Sequence, residues 1–262
     1  MKKFILFVAA VGLAAIWFSG CGMPSIKAAA NALDQFDLAK AEYDEEHWLK
    51  AIEGFQKVIF NFPGATIVDT AQYYLAMSYY NNDEYELAAV EFQRLITNYP
   101  RSAYTTEAQF MAAMCYMENT PDHYALDQED LKSAIALLRD FIIDNPDSPL
   151  VESARAVIGE GMDKLARKEY ETASFYLRIY DLEAARIYFQ HIIDNYTDTR
   201  YAPRALFGLS EVLYKESRMV EALEKFNHFL VIYPGSELVS KAEEYIKKIN
   251  LQLESVNASD DS

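Results

Sequence analysis

Cysteine and histidine are scarce in this chain of 262 residues, which contains two of the first and four of the second. A disulfide framework or a metal site needs several such residues at fixed spacings, and the two cysteines, Cys21 and Cys115, lie far apart. The histidines are scattered too, so we predict that they lie at the surface without metal-spaced partners. The sequence also lacks the G-x-S-x-G motif of serine hydrolases and the lysine-bearing glycine loop of nucleotide-binding proteins. These absences predict a chain that is not an enzyme and uses no cofactor or metal.

Positive charge is also in short supply. The chain has 24 Lys and Arg against 40 Asp and Glu, which gives a formal net charge of -16. Binding to nucleic acid requires clustered Lys and Arg against the phosphates, so we expect no nucleic-acid partner. The acidic excess predicts a soluble, self-repelling surface, and a basic partner face is the alternative interpretation.

The hydrophobic run near the start of the chain is too short for a comfortable membrane span. It covers Phe4–Trp17, 14 residues, whereas a spanning helix needs roughly 20. It follows two lysines and leads into the segment F-S-G-C, which resembles a bacterial lipobox. The resemblance implies a signal peptide over 1–20, a lipid anchor at Cys21 and a lipidated tether over 21–33, and Gly22 favours the outer membrane. An ordinary signal peptide with a chance cysteine is the alternative.

A helical pattern recurs five times along the rest of the chain. Its invariant small residue is an alanine, found at Ala51, Ala88, Ala134, Ala185 and Ala222, with spacings of 37, 46, 51 and 37. Four residues after each alanine stands a phenylalanine or a leucine, and twelve residues after it stands a proline in four of the five copies. Such self-similarity is typical of helical repeat arrays. We therefore predict an all-α fold, a tetratricopeptide-like helical repeat solenoid of five helix pairs plus a C-terminal capping helix.

The irregular spacings predict how the array is divided. Repeats one to three occupy 34–146, and repeats four and five with the capping helix occupy 147–253. A connector over 118–128 enlarges the third repeat, and a continuous helix over 151–180 enlarges the fourth, although Gly159 and Gly161 weaken it locally. Residues 254–262 are polar and acidic, which predicts a disordered tail.

Candidate binding residues lie on the first helix of each pair, the helix expected to line the concave surface of the array. In repeats one to three, equivalent positions carry aromatic residues and methionine, which suit a groove for an extended apolar or aromatic peptide. The predicted groove residues are Phe36, Tyr43, Tyr73, Met77, Tyr80, Phe110 and Met114. The alternative is that individual members pack between neighbouring helices. The second half is more polar at these positions and predicts a different partner, with Arg167, Tyr170, Arg204, Phe207 and Tyr214 as contact residues.

Two further segments carry a resemblance to a known family. The sequence L-D-Q at Leu126–Gln128 precedes the second helix of repeat three, and L-A-R-K-E-Y at Leu165–Tyr170 lies in the long helix. With the lipobox and the repeats, these segments resemble the BamD family of outer-membrane assembly lipoproteins, from Cys21 to about Leu253. The chain departs from the family in the second helix of repeat four, where Tyr188 stands in place of a frequent basic residue.

The resemblance implies a lipid-anchored protein on the periplasmic face of the outer membrane. Its implied partners are a BamA-type barrel insertase, other lipoproteins of the assembly complex and unfolded outer-membrane proteins. The C-terminal repeats would contact the insertase and the N-terminal repeats the substrate, whose aromatic end suits the predicted groove. A periplasmic tetratricopeptide adaptor of the Tol or cell-division type is the alternative, and a mature chain without acyl groups would favour it.

Overall fold

The computed structural model describes residues 31–260, so the predicted signal peptide, the lipid anchor at Cys21 and most of the tether lie outside the described part. Within this range the chain forms eleven α-helices and no strand. In chain order they are α1 (Ala32–Asp44), α2 (Trp48–Asn61), α3 (Val68–Asn81), α4 (Tyr85–Asn98), α5 (Thr105–Glu118), α6 (Glu129–Asp144), α7 (Val151–Arg178), α8 (Leu182–Asn195), α9 (Ala202–Lys215), α10 (Met219–Ile232) and α11 (Val239–Asp260). None of these helices is long and apolar enough to cross a membrane.

The helices are arranged as five pairs and a cap. Each helix packs against the next one in the chain, from α1 on α2 through to α11 on α10. The pairs are α1–α2, α3–α4, α5–α6, α7–α8 and α9–α10, as the repeat spacing predicts. The all-α, tetratricopeptide-like solenoid with a C-terminal capping helix is therefore confirmed.

The recurring alanine lies where adjacent helices of each repeat pack closely. All five alanines of the pattern are completely buried, and the aromatic residues four positions later, such as Phe55 and Phe92, are buried with them. Two glycines bring helices closer still: a Cβ on Gly54 would lie 2.6 Å from the Cβ of Ala39, and one on Gly208 would lie 2.5 Å from the ring of Phe189. The repeated small residues thus fix the distance between adjacent helices.

Four turns between the helices of a pair share an unusual backbone conformation. Glu46, Asp83, Tyr180 and Ser217 have φ between 60° and 65°, in the left-handed region that glycine normally occupies. They hold the same place in repeats one, two, four and five. The turn of repeat three is instead replaced by the enlarged connector over 119–128.

The long helix α7 is continuous over 28 residues, so Gly159 and Gly161 do not interrupt it. Its first half packs on α6, where Ala154 contacts the cluster around Leu138. Its second half packs on α8, where Ala173 contacts the cluster around Phe189. The helix therefore links the third repeat to the fourth. Because α6 and α8 pack on different halves of α7, α8 is shifted along the α7 axis relative to α6.

The C-terminal helix is longer than the sequence predicts. α11 runs to Asp260, whereas the predicted end is Leu253, so most of the segment expected to be a disordered tail is helical. No proline or glycine follows Leu253 to break the helix.

Candidate functional site

Two of the seven predicted groove residues belong to the packing between helices. Phe36 and Tyr73 are only 8% and 6% exposed. The ring of Phe36 lies 5.6 Å from that of Phe55, and the ring of Tyr73 stacks on Tyr104 at 4.4 Å. Both therefore offer little surface to a ligand, which is the alternative that the sequence left open for individual members.

The centre of the aromatic surface is a residue that the sequence analysis missed. The ring of Tyr74 lies 5.2 Å from Tyr43, 5.4 Å from Tyr73 and 6.3 Å from Tyr104. Tyr74 is partly exposed, so it offers ring surface where Tyr73 does not. Its neighbour Tyr104 comes from the connector between α4 and α5, which the search along the first helices did not include. We call Tyr43, Tyr73, Tyr74 and Tyr104 the tyrosine cluster.

A lysine side chain lies over the tyrosine cluster. The Nζ atom of Lys40 is 5.0 Å from the ring centre of Tyr74 and 5.4 Å from that of Tyr43. Lys40 also pairs with Asp44 one turn later, and this hydrogen bond raises the pKa of the ammonium group above its usual value. The lysine is therefore fully charged at neutral pH and is oriented by the rings beneath it.

Three tyrosines of the cluster stay neutral over the physiological range. Burial raises the pKa values of Tyr43, Tyr73 and Tyr104 above the ordinary tyrosine value. The hydroxyl of Tyr43 accepts a hydrogen bond from Asn81 Nδ2 at 3.1 Å, which fixes its ring against α3. The cluster can thus offer apolar ring faces and neutral hydroxyl groups beside the charge of Lys40, a combination that suits an aromatic side chain near a carboxylate.

The remaining predicted groove residues lie in separate places along the array. Tyr80 packs edge-on against Tyr85 at 5.3 Å, and burial raises its pKa to about 12. Met77 lies in the same apolar cluster, whereas Phe110 packs against Phe141 at 5.8 Å. Met114 belongs to yet another cluster, around Leu131. The structure therefore groups Phe36 with Tyr43, and Tyr73 with Met77 and Tyr80, but does not join all seven residues in one patch.

The residues predicted for the second partner are also divided. Phe207 is buried among Phe226, Phe229 and Tyr245, so it serves the core of the last repeat. Tyr214 lies 5.2 Å from the same Tyr245.

The other three members of that set differ in what they contact. Arg167 is exposed and covers the ring of Tyr124 in the enlarged connector at 5.1 Å. Tyr170 packs between Phe189 and Tyr201, and Arg204 pairs with Glu237 at 3.1 Å. Arg167, Tyr170, Arg204 and Tyr214 keep accessible surface, whereas Phe207 does not.

One histidine has acidic neighbours that the sequence did not indicate. Glu42, Glu45 and His47 bring one potential ligand atom each within 4.8 Å of one another at the turn after α1. His47 Nδ1 is 2.8 Å from Glu42, and Lys50 donates to the same carboxylate at 3.1 Å. The hydrogen bonds from Lys50 and His47 lower the pKa of Glu42. The expectation that His47 has no metal-spaced partner is therefore wrong, and the group forms an exposed ion-pair network.

Solved tetratricopeptide-repeat structures show distant similarity to this chain. A thermophilic tetratricopeptide-repeat protein of Thermus thermophilus shares 17% identity, with a TM-score of 0.36, over 82% of this chain and 99% of its own. The TPR2AB domain of yeast Sti1, solved in complex with pHSP90, shares 12% identity, with a TM-score of 0.39, over 84% and 98%. A tetratricopeptide repeat protein from Parabacteroides merdae shares 12%, with a TM-score of 0.37, over 85% and 73%.

Sequence comparison gives a more specific result. No curated protein matches the chain. The YfiO family model, described as outer membrane lipoprotein, matches residues 28–217. This match covers most of the chain and includes all five repeats except the second helix of the last. The chain therefore belongs to the YfiO family of outer membrane lipoproteins.

Proposed function

We propose that this chain is a non-enzymatic lipoprotein of the barrel-assembly machinery. Acyl chains on Cys21 anchor it to the periplasmic face of the outer membrane, where it scaffolds a BamA-type insertase and binds unfolded outer-membrane proteins. The family match supports the outer-membrane location. Several acyl chains hold firmly because each buried methylene adds to membrane affinity. Intact mass of the mature protein tests the anchor, and a mature chain without acyl groups would favour the periplasmic adaptor instead.

The tyrosine cluster is the main structural support for the proposed binding of substrate. It joins α1, α3 and the start of α5 in one aromatic surface, with Lys40 above the rings of Tyr43 and Tyr74. Lys40 lies over two of these rings at once and brings a positive charge to the aromatic surface of a strongly acidic chain. An aromatic side chain can pack on the exposed face of Tyr74 while a nearby carboxylate pairs with Lys40.

A peptide with an aromatic C-terminus supplies both groups at once. Its last side chain gives the ring, and its free carboxylate lies a few bonds away. Burying one aromatic side chain contributes on the order of 1.5–3 kcal/mol through its apolar area. The cluster therefore suits the aromatic end of an unfolded outer-membrane protein.

Fluorescence anisotropy with a labelled peptide ending in Phe tests this assignment. We expect the double variant Tyr43→Ala/Tyr74→Ala to bind about tenfold more weakly or worse, because the ring surface under Lys40 is lost. Phe60→Ala is a matched control, since Phe60 is 85% exposed on α2 and lies outside the cluster. Unchanged affinity of the double variant would show that the substrate binds elsewhere.

The contact with the insertase is placed on the accessible residues of the second half. Arg167, Tyr170, Arg204 and Tyr214 lie on α7 and α9, the first helices of repeats four and five. Co-purification separates the two roles: Arg167→Ala/Arg204→Ala should lose the insertase and keep the peptide, whereas Tyr43→Ala/Tyr74→Ala should do the reverse. The opposite pattern would mean that the two halves are assigned the wrong way round.

A further inference from the structure

A groove of about 700 Å³ lies where the array departs from regular repetition. The other first helices, α1, α3, α5 and α9, have 13 or 14 residues, whereas α7 has 28. Because α6 packs on the first half of α7 and α8 on the second half, α8 is displaced along α7 relative to α6. The groove lies in the space that this displacement leaves. It is bounded by α6, the first half of α7 and the connector between α8 and α9.

The wall between α6 and α7 is largely aliphatic. Its apolar members are Ile142 and Ile143 of α6 with Ile158 and Met162 of α7. Ile143 is 74% exposed, and a Cβ on Gly159 in the same wall would meet nothing within 4 Å. The groove is therefore open to a partner and has room beside the bare backbone of Gly159.

The connector that closes the groove is held rigidly. Arg200 donates to Asp163 of α7 from its backbone nitrogen at 3.0 Å and from Nε at 2.8 Å. Thr199 Oγ1 donates to the carbonyl of Tyr196 at 2.7 Å, and the Tyr196 ring packs against the cluster around Leu131. Because both ends of this wall are fixed, the shape of the groove is built into the fold.

Arg139 and Arg155 line the groove, and in the described part of the chain neither forms a close ion pair. Within residues 31–255 Arg139 lies within 4 Å of no carboxylate, and its Nη2 contacts the sulfur of Met162 at 3.7 Å. Among the carboxylates of the same described range, Arg155 approaches the exposed Glu152, at 3.7 Å. On a chain with a net charge of -16, two such arginines beside an aliphatic wall make a local positive site. Asp198 lies on the opposite connector, so the positive charge is confined to the wall formed by α6 and α7.

We propose that this groove binds an amphipathic helix of a partner protein, with aliphatic residues on one face and acidic side chains beside them. The two main walls are helices whose backbone groups are already hydrogen-bonded. An extended segment would therefore bury unpaired backbone groups here, whereas a helix satisfies its own. The acidic side chains pair with Arg139 and Arg155 while the aliphatic face covers Ile143. This site is separate from the tyrosine cluster and from the residues assigned to the insertase, so it extends the proposed function.

The test uses the full chain and a labelled synthetic helical peptide with Leu at i, i+3, i+4 and i+7 and Glu at the flanking positions. A second peptide carries Lys in place of Glu. We expect the Glu peptide to bind, its affinity to fall as salt rises, and Arg139→Glu/Arg155→Glu to weaken it at least tenfold while binding the Lys peptide better. Arg178→Glu makes one such charge reversal at an exposed position of α7 and should have no effect.

A second variant tests the shape rather than the charge. Gly159→Leu places a side chain in the groove and should weaken the Glu peptide at least tenfold, whereas Gly159→Ala should not. Circular-dichroism melts establish that the variants fold. Failure of the Glu peptide to bind, equal binding of both peptides, or indifference to these substitutions would overturn the proposal. Arginine-dependent binding of phosphatidylglycerol vesicles in place of the peptide would also overturn it.

Discussion

The hydroxyl of Tyr73 donates a hydrogen bond to Glu107 Oε1 at 2.7 Å, which ties α3 to α5 across two repeats. The same ring stacks on Tyr104 at 4.4 Å, just before α5 begins. Tyr73 therefore connects adjacent repeats through both its ring and its hydroxyl. This double role explains why a residue at a predicted binding position is buried.

Tyr73→Phe should separate the two contributions. The ring remains, so we expect only the loss of one hydrogen bond, about 1 kcal/mol of unfolding free energy. Tyr73→Ala also removes the stacked ring and should cost about 3–5 kcal/mol. Urea denaturation measures both, with Tyr85→Phe as control because its hydroxyl meets only the exposed Asp83. Equal losses for Tyr73→Phe and Tyr73→Ala would show that the ring adds nothing.

Alkaline pH should destabilise the array through its buried tyrosines. Burial raises the pKa of Tyr80 and of Tyr245 from 10.0 to about 12. Between these values the unfolded chain loses the phenol proton and the folded chain keeps it, so the stabilising contribution is complete below pH 10 and is lost up to pH 12. Urea midpoints across this range should fall with pH, and Tyr80→Phe/Tyr245→Phe should reduce the slope. A flat profile for the parent chain would contradict the burial of these phenols.

The adjacent residues Tyr73 and Tyr74 show how far the sequence determines the site. Repeat spacing identifies the helix and its buried alanine stripe, because the period of an α-helix places every fourth residue on one face. It does not decide which of two neighbouring tyrosines faces outward, since they differ by only about 100° around the helix. That choice depends on how α3 sits against α1 and α5, which also brings in Tyr104 from a connector. The groove beside Gly159 is hidden for the same reason, because it depends on how far α8 is displaced along α7 relative to α6.

The left-handed turn residues predict a stabilising substitution. Tyr180 has φ of 65° and is 65% exposed, and its ring meets Lys215 Nζ only at 6.0 Å, so the side chain offsets little of the unfavourable backbone energy. Tyr180→Gly should raise the unfolding free energy by about 1 kcal/mol. Asp83→Gly is the matched comparison and should gain less, because aspartate tolerates this region and its carboxylate accepts a hydrogen bond from Tyr85. Thermal melts rank the two, and a loss of stability in Tyr180→Gly would show that its ring matters more than its backbone.

Two helical glycines should respond to alanine in opposite directions. A Cβ on Gly208 would lie 2.5 Å from the Phe189 ring, so Gly208→Ala should destabilise by about 1–3 kcal/mol. Gly159 is free of neighbours within 4 Å, so Gly159→Ala should stabilise α7 by about 0.5–1 kcal/mol. Denaturant titrations compare both variants with the parent chain. Shifts of the same sign would contradict the close packing of Gly208 against Phe189.

Lys40 should recognise a carboxylate rather than a ring alone. Its ammonium group lies over Tyr43 and Tyr74, and its hydrogen bond with Asp44 raises its pKa, so it remains charged at neutral pH. A peptide with a free C-terminal carboxylate should therefore bind more tightly than its amide, and Lys40→Gln should remove that difference while leaving the amide peptide nearly unaffected. We expect a preference of about threefold to tenfold, which corresponds to roughly 0.6–1.4 kcal/mol and weakens as salt rises.

Lys57→Gln is the control for this charge change, since Lys57 pairs with Glu53 on the exposed face of α2, away from the tyrosine cluster. Anisotropy titrations of the free-acid and amide peptides against the parent chain, Lys40→Gln and Lys57→Gln give the coupling between the lysine and the carboxylate directly. A coupling near zero, with both peptides weakened equally by Lys40→Gln, would mean that the lysine only supports the rings. The aromatic surface would then bind internal segments as well as chain ends.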